Sequence, residues 1–161
     1  MATLASMAET VGALLKERGE TVAVSESSTG GLIAAALLAV PGASAYFVGG
    51  GVIYTHRARE ALLAIRLADH PGMRASTEPY ALLCAQTVRE RLGATWGLGE
   101  SGAAGPSGNR YGDPAGHCCL AVAGPRTRVL TLETGRTERE TNMWRFAGAA
   151  LALLEETIRG G

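Results

Sequence analysis

Several things are scarce in this 161-residue sequence. Neither sign of charge is in excess: 15 Lys and Arg stand against 15 Asp and Glu, a formal net charge of +0 at pH 7, with no block of like charge. That argues against a nucleic-acid binder that works by broad phosphate neutralisation. Only three cysteines are present, Cys84, Cys118 and Cys119. The number is odd and two are neighbours, which implies neither a disulfide framework nor a C-x-x-C metal site. Buried, reduced thiols with no part in catalysis are expected instead. The longest apolar run, residues 32–40, is too short to span a bilayer. No basic segment followed by a long apolar one opens the chain, so no signal peptide is expected. These absences predict a cytoplasmic protein with no membrane or nucleic-acid partner and no metal.

Apolar residues make up 47% of the chain, enough for one domain over residues 1–161 with a core of its own. No internal repeat, linker or low-complexity tract is visible. Leu4, Met7, Ala8, Val11, Leu14 and Leu15 recur at helical spacing, and Gly19 stops that helix. Strands are predicted over 21–25, 46–55 and 95–101, and helices over 29–40, 56–65 and from Ser76-Thr77-Glu78-Pro79 to Leu92. A loop is predicted over 66–75. Gly-, Pro-, Asn- and Asp-rich residues 102–116 read as another. Two runs flanking Gly124-Pro125-Arg126 read as a hairpin, and a last helix covers 138–158. Early strands alternate with helices and the hairpin comes late, which predicts a mixed sheet with helices on both faces.

Two glycine-rich turns stand out. Ser25-Glu26-Ser27-Ser28-Thr29-Gly30-Gly31 joins a strand to a helix, and Ser101-Gly102-Ala103-Ala104-Gly105-Pro106 follows another strand. Unpaired N–H groups at such turns favour an anion, so the pair points to a phosphorylated ligand. The plainer reading of the first is a helix cap through Ser28 or Thr29. Glu26 is out of place in an anion site. It is expected to accept hydrogen bonds from ribose hydroxyls or from loop amides.

The order and spacing of Glu26-Ser27-Ser28-Thr29-Gly30-Gly31, Pro41-Gly42-Ala43-Ser44-Ala45-Tyr46-Phe47, Gly50-Gly51-Val52-Ile53-Tyr54 and Ser101-Gly102-Ala103-Ala104-Gly105-Pro106 resemble the CinA C-terminal domain family nearly end to end. Its members include nicotinamide mononucleotide amidohydrolases. The resemblance implies an α/β fold, a three-layer α/β/α sandwich with a five-stranded mixed sheet. It also implies a homodimer and the absence of metal and cofactor. Many relatives carry a further N-terminal domain that is no part of this sequence. The implied reaction is hydrolysis of the carboxamide of nicotinamide mononucleotide to nicotinate mononucleotide and ammonia.

By the same resemblance Ser44 matches a nucleophilic or water-positioning serine and Tyr54 a pocket tyrosine. Arg59 stands where the family usually has a catalytic lysine, and Ser28 where it usually has cysteine. The first departure has physical weight. A buried lysine can lose its proton and act as a base, whereas arginine stays protonated. Arg59 can hold a phosphate or an oxyanion, but it cannot take a proton from serine. The family's Gly-Asp-Arg before the last helix is replaced by Arg139-Glu140-Thr141, with Arg136 or Arg139 as substitutes, while Arg145 fits the later arginine.

Other assignments have a plainer rival. Ser44 after Pro-Gly reads equally as turn chemistry, and Tyr54 as strand core or pocket wall. His56 reads as a surface helix cap, or as a replacement base oriented by Glu60 at i+4. Asn109, Arg110, Tyr111 and Asp113 lie in a loop that is either plain surface or a ligand cover, with Arg110 over a phosphate. Two functions therefore compete: the amidohydrolase, and a nucleotide-binding homologue that lost its base.

Overall fold

The computed structural model describes residues 2–160. Helix α1 (Leu4–Arg18) opens with a reciprocal capping box between Thr3 and Ser6 and ends at Gly19 in the left-handed conformation. Strand β1 (Val22–Glu26) is buried along its length. Helix α2 (Leu32–Leu38) starts three residues later than the apolar pattern suggests. Gly30 and Gly31 before it have φ of 62° and 104°, a conformation open to glycine and costly for other residues. Strand β2 (Phe47–Val52) and helix α3 (His56–Leu63) follow. The loop expected over 66–75 contains a single turn of 3-10 helix, Leu67–Asp69. Helix α4 (Glu78–Leu92), strand β3 (Trp96–Ala103), the β4 (His117–Ala123) and β5 (Arg128–Glu133) hairpin, and helix α5 (Arg139–Arg159) complete the chain.

The five strands form one sheet in the order β2-β1-β3-β4-β5. β1 pairs in parallel with β2 and β3, and the β3–β4 and β4–β5 pairs are antiparallel. Successive side chains point to opposite faces, and the strand residues divide accordingly. Val22, Val24, Leu98, Leu120 and Val122 pack with Ala8, Val11 and Leu15 of α1, Ile33 and Leu37 of α2, and Phe146, Leu151 and Leu154 of α5. Across the sheet, Ala23 joins Leu63, Tyr80, Cys84 and Val88, while Cys119, Ala121 and Ala123 meet Ala81 and Ala85. The result is the three-layer α/β/α sandwich with a mixed sheet. α4 lies unusually close to β3: a Cβ on Gly97 or Gly99 would stand 2.1 or 2.2 Å from a carbonyl oxygen of α4. The parallel strands β1, β2 and β3 point the same way, with β3 continuing past the end of β1, and the loops that leave them meet at one rim.

Candidate functional site

The glycine-rich turn after β1 is not an empty cradle. Glu100 of β3 accepts from the backbone amides of Ser27, Ser28 and Thr29 at 2.7, 3.2 and 2.9 Å. It also accepts from the Ser28 hydroxyl at 2.5 Å, and the one Thr29 hydroxyl proton lies between Glu100 at 2.6 Å and Glu26 at 2.7 Å. Glu26 accepts from the amides of Gly31, Ile33 and Ala34 at 3.1, 3.0 and 2.9 Å. The amide of Gly30 bonds to the Ser27 carbonyl. Both carboxylates are buried, 1% and 2% exposed for Glu26 and Glu100. The expected free amides are thus occupied by two internal carboxyl groups. Of the two partners expected for Glu26, the loop amides are the ones it has. It is Glu26, not Ser28 or Thr29, that caps α2.

Beside this turn, at the C-terminal ends of the parallel strands, opens a cavity of about 430 Å³. Ser27, Tyr54, Thr55, His56, Arg59, Ser76, Tyr80, Ser101, Gly102, Asn109, Arg110 and Tyr111 supply its polar wall. Among the described residues, no carboxylate lines it. Arg59 is buried, at 5% exposure. Its Nη1 donates to the Tyr80 hydroxyl at 3.3 Å, and its Nη2 lies 2.5 Å from His56 Nδ1. The other ring nitrogen of His56 lies 2.7 Å from Nη2 of exposed Arg110. Guanidinium groups only donate, and a neutral imidazole has one acceptor nitrogen. The imidazole can therefore accept from only one of the two arginines, and its N–H opposes the other. Glu60 makes no hydrogen bond to His56; the orienting partner is Arg59. Tyr54 accepts from Arg139 at 3.2 Å, so of the two substitutes considered for the absent Gly-Asp-Arg, Arg139 is the one at the rim.

The loop over 109–113 is tied down. Arg74 pairs with Asp113 at 2.8 Å, Asn109 donates to Asp113 at 2.8 Å, and Arg74 stacks 4.8 Å from the Tyr111 ring centre. The hydrogen bond from Arg74 holds the Asp113 carboxyl below its ordinary value. Ser76, also on the cavity wall, has a left-handed φ of 60°. Its amide donates to Ser101 Oγ at 3.0 Å and its carbonyl faces His117 Nε2 at 2.8 Å. Burial works against a charged His117, but the bonds to Glu133 and to that carbonyl outweigh it and raise its pKa.

The cavity thus gathers Ser27, Tyr54, His56, Arg59, Ser101, Gly102 and Arg110 from the sequence-based set. Ser44 is elsewhere. It sits exposed in the short 3-10 turn Ala43–Ala45 ahead of β2, at the opposite end of that strand from Tyr54. Ser28 and Thr29 face Glu100, and Glu26, Gly30 and Gly31 belong to the α2 cap, off the cavity wall. Gly105 is buried away from the cavity, and its carbonyl accepts from Arg139. Arg145 lines a separate groove with Leu4, Met7 and Trp144. Sequence reasoning missed Glu100, Tyr80 and Ser76. A glutamate inside the otherwise apolar and glycine-rich strand 96–103 was the available signal for Glu100.

A family model described as the CinA C-terminal domain matches residues 4–158. A CinA-like protein of Anaeromyxobacter sp. (strain K) is 41% identical over 151 residues, 94% of this chain and 37% of that protein. One from Prochlorococcus marinus (strain MIT 9313) is 45% identical over 120 residues, 74% of this chain and 28% of its own length. The match thus spans 37% and 28% of the length of these two curated relatives. Among solved structures, the competence damage-inducible protein A (ComA) of Klebsiella pneumoniae superposes with a TM-score of 0.92 at 27% identity, covering 98% of both chains. The competence/damage inducible protein CihA of Agrobacterium tumefaciens reaches 0.90 at 26% identity, with 99% and 97% covered.

Proposed function

The chain belongs to the CinA C-terminal domain family, and on that premise we propose that its cavity binds a phosphorylated pyridine mononucleotide and has lost the base that would hydrolyse it. One observation carries this reading: Arg59, His56 and Arg110 converge on a cavity with no lining carboxylate. His56 can accept from only one of the two arginines, so the other guanidinium needs an acceptor from elsewhere. A ligand phosphate at the rim, on Arg110, supplies one. The volume suits a single mononucleotide.

Hydrolysis of a carboxamide needs a base to activate serine or water. Arg59 stays protonated. Lys16 is the sole lysine of the chain, and it lies far from the cavity, donating to the Pro41 carbonyl. Both ring nitrogens of His56 face arginine donors, so neither is open to a water. A second reading, the nicotinamide mononucleotide amidohydrolase, is favoured by the exposure of Arg110. If Arg110 swings onto the phosphate and Arg59 turns from His56 to the ligand, the imidazole can carry its proton on Nδ1 and Nε2 can accept one from water. The test is a thermal shift with nicotinamide mononucleotide beside an ammonia assay. A shift without ammonia supports the first reading. Turnover that His56→Ala abolishes while binding persists supports the second, and no shift at all overturns both.

A further inference from the structure

Arg59 is a buried cation with no counter-ion of its own. Among the described residues, none of the ion pairs includes it. None of its neighbours is a carboxylate: they are the Tyr80 hydroxyl at 3.3 Å, the Tyr80 ring 5.5 Å away and the His56 imidazole. Burial pushes the Tyr80 phenol and the Cys84 thiol up, so neither supplies a negative charge. The Nε of Arg59 has no hydrogen-bond partner, and each Nη uses one of its two protons. A guanidinium left in this state is costly unless something anionic joins it. Arg110, by contrast, stands exposed at the rim on His56 and Tyr111.

The two arginines therefore offer different environments to the two ends of one ligand. A phosphate is strongly hydrated and suits the open rim. A flat ring with a planar substituent suits the inner wall, where Arg59 lies against the Tyr80 ring. A carboxylate there presents two acceptor oxygens to the guanidinium and cancels its charge. A carboxamide presents one acceptor, and its NH₂ opposes the other donor.

We propose that Arg59 reads a ring carboxylate, so that this cavity selects the acid form of a pyridine mononucleotide over the carboxamide form. The inference rests on the mononucleotide reading above and adds which form is preferred.

Isothermal titration of the wild-type chain with nicotinate mononucleotide and with nicotinamide mononucleotide tests it. The acid should bind at least about tenfold tighter, as replacement of a neutral by a charge-assisted hydrogen bond implies. Arg59→Gln should bring the two affinities together by weakening the acid alone. Arg59→Lys, whose buried amine takes a proton when a carboxylate binds beside it, should retain a preference that weakens as pH rises, and serves should the glutamine variant not fold. Arg110→Gln should weaken both ligands alike. Equal wild-type affinities would overturn the inference and leave the mononucleotide reading standing. So would an Arg59→Gln variant that loses both ligands equally, since Arg59 would then hold the phosphate. Failure of both ligands to bind the wild type would remove the reading and the inference together.

Discussion

Glu100 Oε1 accepts from the Thr29 amide at 2.9 Å, across 71 residues of sequence, and shares the Thr29 hydroxyl, 2.6 Å away, with Glu26. The contact makes the turn after β1 a clasp between two central strands. Glutamine in place of Glu100 offers one acceptor oxygen, and its NH₂ faces loop donors. Hydrogen bonds to a charged group are worth about 1.5–3 kcal/mol each, so Glu100→Gln should lower unfolding stability by about 3 kcal/mol or more. Urea denaturation checks this, with exposed Glu60→Gln as the control, expected within about 0.5 kcal/mol of wild type. Equal midpoints for the two variants would show that the clasp contributes little.

The layers were legible because they follow from local pattern. The α1 spacing, the helix start at Ser76-Thr77-Glu78-Pro79, and the stops at Gly19 and Gly93 all act within a few residues. The family resemblance located the rim through Tyr54, Ser101 and Gly102. What escaped is long-range. Nothing near Ser27-Ser28-Thr29 in sequence says that its amides already have an acceptor, because that acceptor arrives on β3. Ser44 stands ten positions before Tyr54, yet β2 carries the chain across the sheet between them. Glu60 is placed by helix spacing beside His56, but the ring turns to the cavity, where Arg59 and Arg110 hold it.

Ser44→Ala should leave ligand binding and any turnover unchanged. The six residues of β2, at about 3.3 Å each, put about 20 Å between the turn and the cavity. Its effect on stability should stay within about 0.5 kcal/mol. A loss of binding of tenfold or more in titration calorimetry would return Ser44 to the site.

His117 should make stability fall as pH rises. Both of its ring nitrogens face acceptors, Glu133 and the Ser76 carbonyl, with Asp113 3.7 Å away. The folded imidazole titrates above the ordinary value of 6.5. The stability from its proton is therefore complete below that value and is lost as pH climbs through the folded one. Urea midpoints from about pH 6 to about pH 9 should fall for the wild type and fall less for His117→Gln. Parallel profiles would exclude the role.

Cys84, Cys118 and Cys119 should resist thiol reagents in the folded chain. All three are buried, and burial pushes each thiol up, Cys118 furthest. The thiolate is the reactive form, so a disulfide reagent should label them fully only in denaturant. Cys118 and Cys119 face opposite sides of β4, so they should not retain zinc together. Rapid labelling of the native chain, or stoichiometric zinc after purification, would contradict this.

Arg59→Lys should restore hydrolysis of nicotinamide mononucleotide. Lysine at this position would meet the same neighbours, Tyr80 and His56, and burial without a counter-ion favours its uncharged form. An uncharged amine can take a proton where a guanidinium cannot. General-base action is worth about 10²- to 10⁴-fold, so ammonia release should rise by that order above wild type. The gain should also grow with pH as the amine deprotonates, a dependence that a merely repaired pocket would not show. A wild type already as fast as the lysine variant would mean that the base lies elsewhere on the cavity wall, and His56→Ala would then be the variant to lose activity.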